Sequence, residues 1–230
     1  KESGIKVVLT GEGADEVFWG YDIFRELKVR KFWGKDPSST IRPLLFKKLY
    51  SQFPQFDKQY HQFISSFYSK TLSYEDQDFY SHLVRWGNNS SIKAVLSKET
   101  KDILGKYSCV EEYRALLPKQ FRKYSDLSKC QLVEMDSLLQ GYLLSSQGDR
   151  MSFANSVESR IPFLDHNVVE FAATLPPEYK LNSLRDKYIL REAFKKLLPA
   201  SIYSRAKHAY QAPEITAFLR YAKGSYVEHL

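Results

Sequence analysis

With 230 residues, 43% of them hydrophobic and 27% charged, the chain is long enough to bury a substantial core and too apolar to be disordered. Its formal net charge of +7 raises a nucleic-acid reading, but no binding motif accompanies the basic clusters at 25–35 and 119–129. Both clusters carry apolar residues at helical spacing and read as solvated helix faces.

No apolar run approaches the length of a membrane span. Lys1 opens the chain without an initiator Met and without a secretory pattern, so a piece of a longer polypeptide is expected. Cys109 and Cys130 make neither a CxxC pair nor a disulfide framework, which suits a reducing, cytoplasmic setting. The five histidines are scattered and predict no zinc site.

In chain order, the β-branched run Ile5–Leu9 predicts a strand covered on both faces, as in a parallel sheet. No other segment reads as a strand. The region 36–125, rich in Phe and Tyr but weakly periodic, predicts several short helices. Asp126–Leu144 sets Leu132, Met135, Leu139, Tyr142 and Leu143 on one stripe, predicting a long amphipathic helix. Asp165 is placed to cap a helix running to about Thr174, which Pro176-Pro177 ends. Leu190, Ala193, Phe194 and Leu197 mark another helix, closed by Pro199. Pro213-Glu214 opens a last one, carrying Ile215, Phe218, Leu219 and Ala222. The chain therefore reads as mostly α with one parallel-type strand at its start, and that strand implies further sheet upstream.

Three stretches can carry chemistry. Thr10–Glu16, at the carboxyl end of the predicted strand, offers two glycines for close approach and three carboxylates. Asp15 suits Mg²⁺, a hard ion that bridges to phosphates, and Glu12 suits a base or a stabiliser of positive charge. The same residues also fit a polar turn whose carboxylates complement a helix dipole. In 148–166, Glu158 and Arg160 read as a structural ion pair and Asp165 as a cap. In 204–214, Lys207 is a solvated loop lysine unless it points at phosphate or a reacting carbonyl.

Three blocks carry a resemblance. VVLTGEGADEVFWGY, DRMSFANSVESRIPFLDHNVVEFAATLPPEYKL and DKYILREAFKKLLP followed by RAKHAYQAPE resemble, in this order, segments of the synthetase domain of glutamine-hydrolysing asparagine synthetases. The second is similar to the family pattern DRMSMAxSxExRxPFLD. The resemblance implies an α/β fold of the ATP-pyrophosphatase, adenine-nucleotide α-hydrolase-like type. Residues 1–230 would be the C-terminal portion of that domain, with the SGGxDS loop and the glutaminase domain lying before it.

The implied activity is ATP-dependent adenylation of the aspartate side chain, then attack by glutamine-derived ammonia to give asparagine, AMP and pyrophosphate. Thr10 and Gly11 would contact ATP, and Asp15 would bind the Mg²⁺-pyrophosphate. Glu12 would assist intermediate formation and ammonia attack, and Lys207 would stabilise negative charge. The expected partners are the upstream segments of the same polypeptide and a second copy in a homodimer, with no membrane and no nucleic acid. Taken alone, the segment is expected to be inactive. Trp19 stands where the family often has glycine after the phenylalanine. A related amide-forming enzyme of the β-lactam synthetase or lasso-cyclase type, and a basic helical module binding RNA or protein, remain the rival readings.

Overall fold

The computed structural model describes residues 4–50, 58–74 and 77–205. β1, Val7–Leu9, does not stand alone: it pairs in parallel with β2, Glu158–Arg160, in the register Val7↔Glu158, Val8↔Ser159, Leu9↔Arg160. Hydrogen bonds from Glu158 N to Lys6 O (2.8 Å) and from Thr10 N to Arg160 O (3.0 Å) extend the ladder at both ends. This corrects the expectation of a single strand. A Glu-Ser-Arg triplet has no β-branched or alternating signal, so pairing and not propensity makes it a strand. Glu158 and Arg160 do form the expected ion pair, at 2.6 Å. Being i and i+2 on one strand, they share a face. Ile5, Val7 and Leu9 are 54%, 41% and 75% exposed, so the apolar faces that a parallel strand normally covers are open.

After β1 the chain forms the short helix α1, Ala14–Val17, and then α2, Asp22–Gly34. Ile23, Phe24 and Leu27 of α2 pack with Trp19, Tyr80, Cys130 and Leu181, and Val29 and Trp33 pack with Phe46, Leu49, Ile64 and Tyr68. Because α2 is covered on several sides, its basic residues are not a solvated face as expected. Arg30 is 1% exposed and donates to the carbonyls of Tyr80 and Ser81 and to Thr71 Oγ1. Its guanidinium lies 4.1 Å from the centre of the Tyr80 ring. Arg25, also buried, pairs with Asp22 and Asp186. A guanidinium can be buried when its donors find fixed acceptors, and helical periodicity alone does not reveal those acceptors.

Trp19 sits at φ +57°, backbone that an L side chain adopts at a cost of about 1–2 kcal/mol and glycine adopts freely. Here the indole offsets the cost by burial: it stacks on Phe24 with ring centres 5.8 Å apart and donates to Gln131 Oε1 at 3.0 Å.

The expected amphipathic helix begins at Asp126, where Ser125 caps it by accepting from Ser128 N. It runs past Leu144: Asp126–Val133 is α-helical, Glu134–Asp149 is π-wound and Arg150–Ala154 closes the rod. Wider winding changes which side chains share a face; of the expected stripe Leu139 is buried while Tyr142 is 54% exposed. At the α-to-π junction the fully buried Glu134 accepts from Arg85 (2.7 Å) and is hydrogen-bonded to His82 Nε2 (2.9 Å). Burial pushes the Glu134 carboxyl up, but His82 and Arg85 together hold it below its ordinary value.

Further on, Asp165 caps His166–Thr174 as expected, accepting from Asn167 N. Tyr188–Phe194 forms the helix expected around Leu190 and Ala193, ending before Leu197. The region 36–125 is a set of short α and 3₁₀ segments among the described residues. The helix expected from Pro213 lies outside the described residues.

Lys180, 3% exposed, ends the short helix Pro177–Lys180. Its Nζ lies 5.0 Å from the centre of the Trp19 ring and 3.4 Å from Gln131 Oε1. Burial pulls its amine from an ordinary 10.5 down to about 8. Between those values the unfolded chain holds the proton that the folded chain releases, so this group favours folding increasingly as pH rises from about 8 to 10. Lys180→Met should raise the melting temperature at pH 7 and lose that advantage as the pH climbs toward 10. Paired thermal melts across this range check it. A difference between variant and parent that is flat with pH contradicts the assignment.

Candidate active site

Thr10 leaves β1 with its hydroxyl buried and without a hydrogen-bond partner among the described residues. The next two glycines have different jobs. A Cβ added at Gly11 would meet no protein atom within 4 Å, so packing does not demand glycine there. Gly13, at φ +83°, turns the chain into α1, and a Cβ there would land on the side chain of Leu164. This contact presses the GEGADE turn against the PFLD segment, where Val17 and Phe18 also pack on Phe163, Leu164 and Ala172.

α1 then divides its carboxylates. Glu16 points inward, 1% exposed, and accepts from Tyr21 Oη at 2.7 Å while its Oε2 has no partner among the described residues. Burial raises the Glu16 carboxyl, reinforced by Asp15 and Glu12 and opposed by the Tyr21 hydrogen bond. Asp15 stays partly open, its side chain 16% exposed, and pairs with Lys187 Nζ at 2.8 Å. A Cβ at Gly20 would land on Asp15 Oδ1 and lie 2.9 Å from Lys187 Cε, so glycine is required there for the pair to close. Glu12 is half-buried, with no hydrogen bond or ion pair to the described residues.

Lys187 was not singled out from the sequence. It precedes the helix Tyr188–Phe194 with φ +45° and ψ +39°, a left-handed conformation unusual for lysine. Its neighbour Asp186, 3% exposed, is clamped by Arg191 Nη2 at 2.6 Å and faces Arg25 Nη1 at 3.8 Å. The KYxLR-type segment was visible as a motif, but its distance of 172 positions from Asp15 concealed the pairing. Beside the pair opens a cleft of about 560 Å³, whose lining includes Gly11, Ala14 and Lys187 together with the apolar Phe163, Leu190 and Phe194. Lys207 lies outside the described residues.

No group of three or more His, Cys, Asp or Glu side chains able to hold a metal occurs among the described residues. The donors at the turn still fit Mg²⁺, which typically takes one or two carboxylates and completes its shell with phosphate oxygens and water. Asp15 and Glu12 are the carboxylates of this turn, and the Thr10 hydroxyl that precedes them in the chain is buried without a partner among the described residues.

The family model for asparagine synthase matches residues 1–230. The chain belongs to the asparagine synthase family. Amidase chyE of Penicillium rubens is 31% identical over 91% of the chain and 32% of its own length. Asparagine synthetase [glutamine-hydrolyzing] 1 of Bacillus subtilis is 31% identical over 91% of the chain and 31% of its own length. Amidase chry2 of Gibberella zeae is 30% identical, with 91% and 32% covered. The chain thus spans about a third of the length of these curated relatives. No solved structure matches it. The asparagine synthase domain has the ATP-pyrophosphatase fold, and the parallel pair β1–β2 surrounded by helices belongs to that α/β class.

The two glycines of the turn should separate on substitution. Gly13→Ala imposes a positive φ and an overlap with Leu164, and should cost about 2–4 kcal/mol of stability. Gly11→Ala should melt like the parent yet weaken nucleotide binding, because the methyl group projects into open space. Calorimetric melts with nucleotide titration of both variants check this; equal melting temperatures for the two would overturn it.

Proposed function

We propose that the protein forms an amide in two steps, activating a carboxylate with ATP and then transferring the acyl group to ammonia. The observation that carries this reading is the Asp15–Lys187 pair, 2.8 Å apart, at the carboxyl end of a parallel strand and beside an open cleft. Ligands of open α/β sheets bind at that end. Attack of the carboxylate on the α-phosphate releases pyrophosphate, a leaving group that needs positive charge around it.

Lys187, on a fixed helix start, supplies an ammonium for that charge. Asp15 keeps the ammonium in place and, with Glu12, would hold Mg²⁺, whose bound form neutralises phosphate oxygens. Gly11 leaves room for the nucleotide, and the Thr10 hydroxyl is available to it. In the second step ammonia attacks the acyl carbon of the adenylate and AMP departs. The nitrogen becomes cationic during attack, and Glu12, unpaired within the described residues, is suited to stabilise that charge and accept its proton. Lys207 is proposed as a second cation that stabilises negative charge on the pyrophosphate or the tetrahedral species.

Aspartate as the carboxylate and glutamine-derived ammonia as the nucleophile are supported by the glutamine-hydrolysing synthetases among the relatives. A different carboxylate is a second reading. It is supported by the amidase-named relatives, at 31% and 30% identity, and by the apolar wall of Phe163, Leu190 and Phe194.

ATP–pyrophosphate exchange in the intact protein tests both. Aspartate should support exchange, and exchange driven only by a larger, apolar acid would select the second reading. Asp15→Asn should abolish exchange with either acid, and Glu12→Gln should impair amide synthesis. Lys187→Met should slow exchange by about a hundredfold or more, the usual cost of one preorganised charge contact. Lys207→Ala should lower kcat to a similar degree without changing the melting temperature. Parental exchange rates in Asp15→Asn and Lys187→Met would refute the assignment.

A further inference from the structure

A second charged cleft lies around Asp78, built from residues that the proposed chemistry does not use. The side chain of Asp78 is 12% exposed, and three cations from separate elements converge on it. Arg114 Nη1, from the helix Cys109–Leu116, stands at 2.8 Å. Arg122 Nε, from the 3₁₀ turn Phe121–Lys123, stands at 3.3 Å, and Lys129 Nζ, from Asp126–Val133, at 3.7 Å. Aromatic rings hold two of these cations in place: Arg114 lies 4.7 Å from the centre of the Phe79 ring and Lys129 5.8 Å from that of Phe121. With Gln77 they line a polar cleft of about 360 Å³.

Charge and donors are both in surplus. Among the described residues Asp78 shares these cations with one other carboxylate, Glu111, 3.3 Å from Arg114 Nε and 67% exposed. Two carboxylates, one of them screened by water, do not neutralise three cations. Arg122 is 78% exposed and engaged only through Nε. Its Nη1 and Nη2, which carry all but one of the guanidinium N–H donors that fit phosphate oxygens, have no acceptor among the described residues. The half-buried carboxylate works as an internal counter-ion that gathers the cations and leaves their outer faces to solvent.

We infer that this cleft binds a small phosphate-bearing anion. Two guanidinium groups and an ammonium aimed at one point match a compact, multiply charged oxyanion. A nucleic-acid backbone would need cations spaced along a track, which this convergence does not provide. A bound anion would compete with Asp78 for the same donors.

The test is calorimetric titration of the intact protein with inorganic pyrophosphate at low ionic strength and without Mg²⁺. Saturable binding is expected. Arg122→Ala should weaken it by about fivefold or more, since an exposed charge-assisted contact is lost. Asp78→Asn, which keeps the shape and removes the competing charge, should tighten it severalfold. The Arg122-dependent part of the binding should persist in Asp15→Asn and Lys187→Met, which separates this cleft from the proposed adenylation site, where pyrophosphate is itself a product. Affinity unchanged in Arg122→Ala, loss of the Arg122-dependent binding in Lys187→Met, or weaker binding in a folded Asp78→Asn protein would each overturn the inference. So would a single-stranded RNA that binds through Arg122 when pyrophosphate does not. Because Arg122 is largely exposed, its variant remains informative even if Asp78→Asn fails to fold.

Discussion

The parallel pairing of Val7–Leu9 with Glu158–Arg160 is the constraint on which the rest of the site depends. It joins segments about 150 residues apart in sequence, and three residue pairs are a small return for closing so long a loop. The pairing holds because the turn that follows is wedged in place. Gly13 takes a left-handed backbone against Leu164, and Val17 and Phe18 then bury themselves on the helix His166–Thr174. Once β1 and β2 are side by side, α1 must project Asp15 toward the C-terminal part of the chain. There the tightly held Asp186 fixes the backbone from which Lys187 reaches it.

Buried charge is used in two ways in this structure. Where a buried carboxylate meets a buried histidine and a half-exposed arginine, as Glu134 does with His82 and Arg85, its charge is held by both and separate elements are locked to each other. Arg30 achieves the same with carbonyls and a tyrosine ring. Lys180 has instead a ring and a single amide oxygen, and its amine is correspondingly easier to neutralise. The contrast follows from desolvation. A buried ion needs either an opposite charge or a full set of dipoles, and losing either makes the neutral form competitive.

The candidate site was legible where a short stretch of sequence carries its own geometry. A strand followed by GEGADE can be read because β-branched residues, glycines and carboxylates act within a few residues of one another. Asp165 as a cap and Pro176-Pro177 as a stop were legible for the same reason. β2 was not, since Glu-Ser-Arg becomes a strand only when β1 offers its backbone groups. Arg25 and Arg30 looked solvated because the acceptors that bury them are supplied by Asp186, Thr71, Tyr80 and Ser81.

Sequence by itself determined the helical character of the chain, the position of the turn after β1, the helix capped by Asp165 and the family resemblance later borne out over residues 1–230. These are local properties, set by spacing, caps and backbone preference. Tertiary structure alone decided that Lys187 is the cation beside Asp15, that Gly20 must be glycine to admit the pair, and that a tryptophan can occupy left-handed backbone by burying its ring. It also decided that the basic residues near 122 meet over Asp78. Each of these depends on groups brought within a few ångströms from distant parts of the chain, and electrostatic and steric interactions fall off too steeply with distance for sequence spacing to report them.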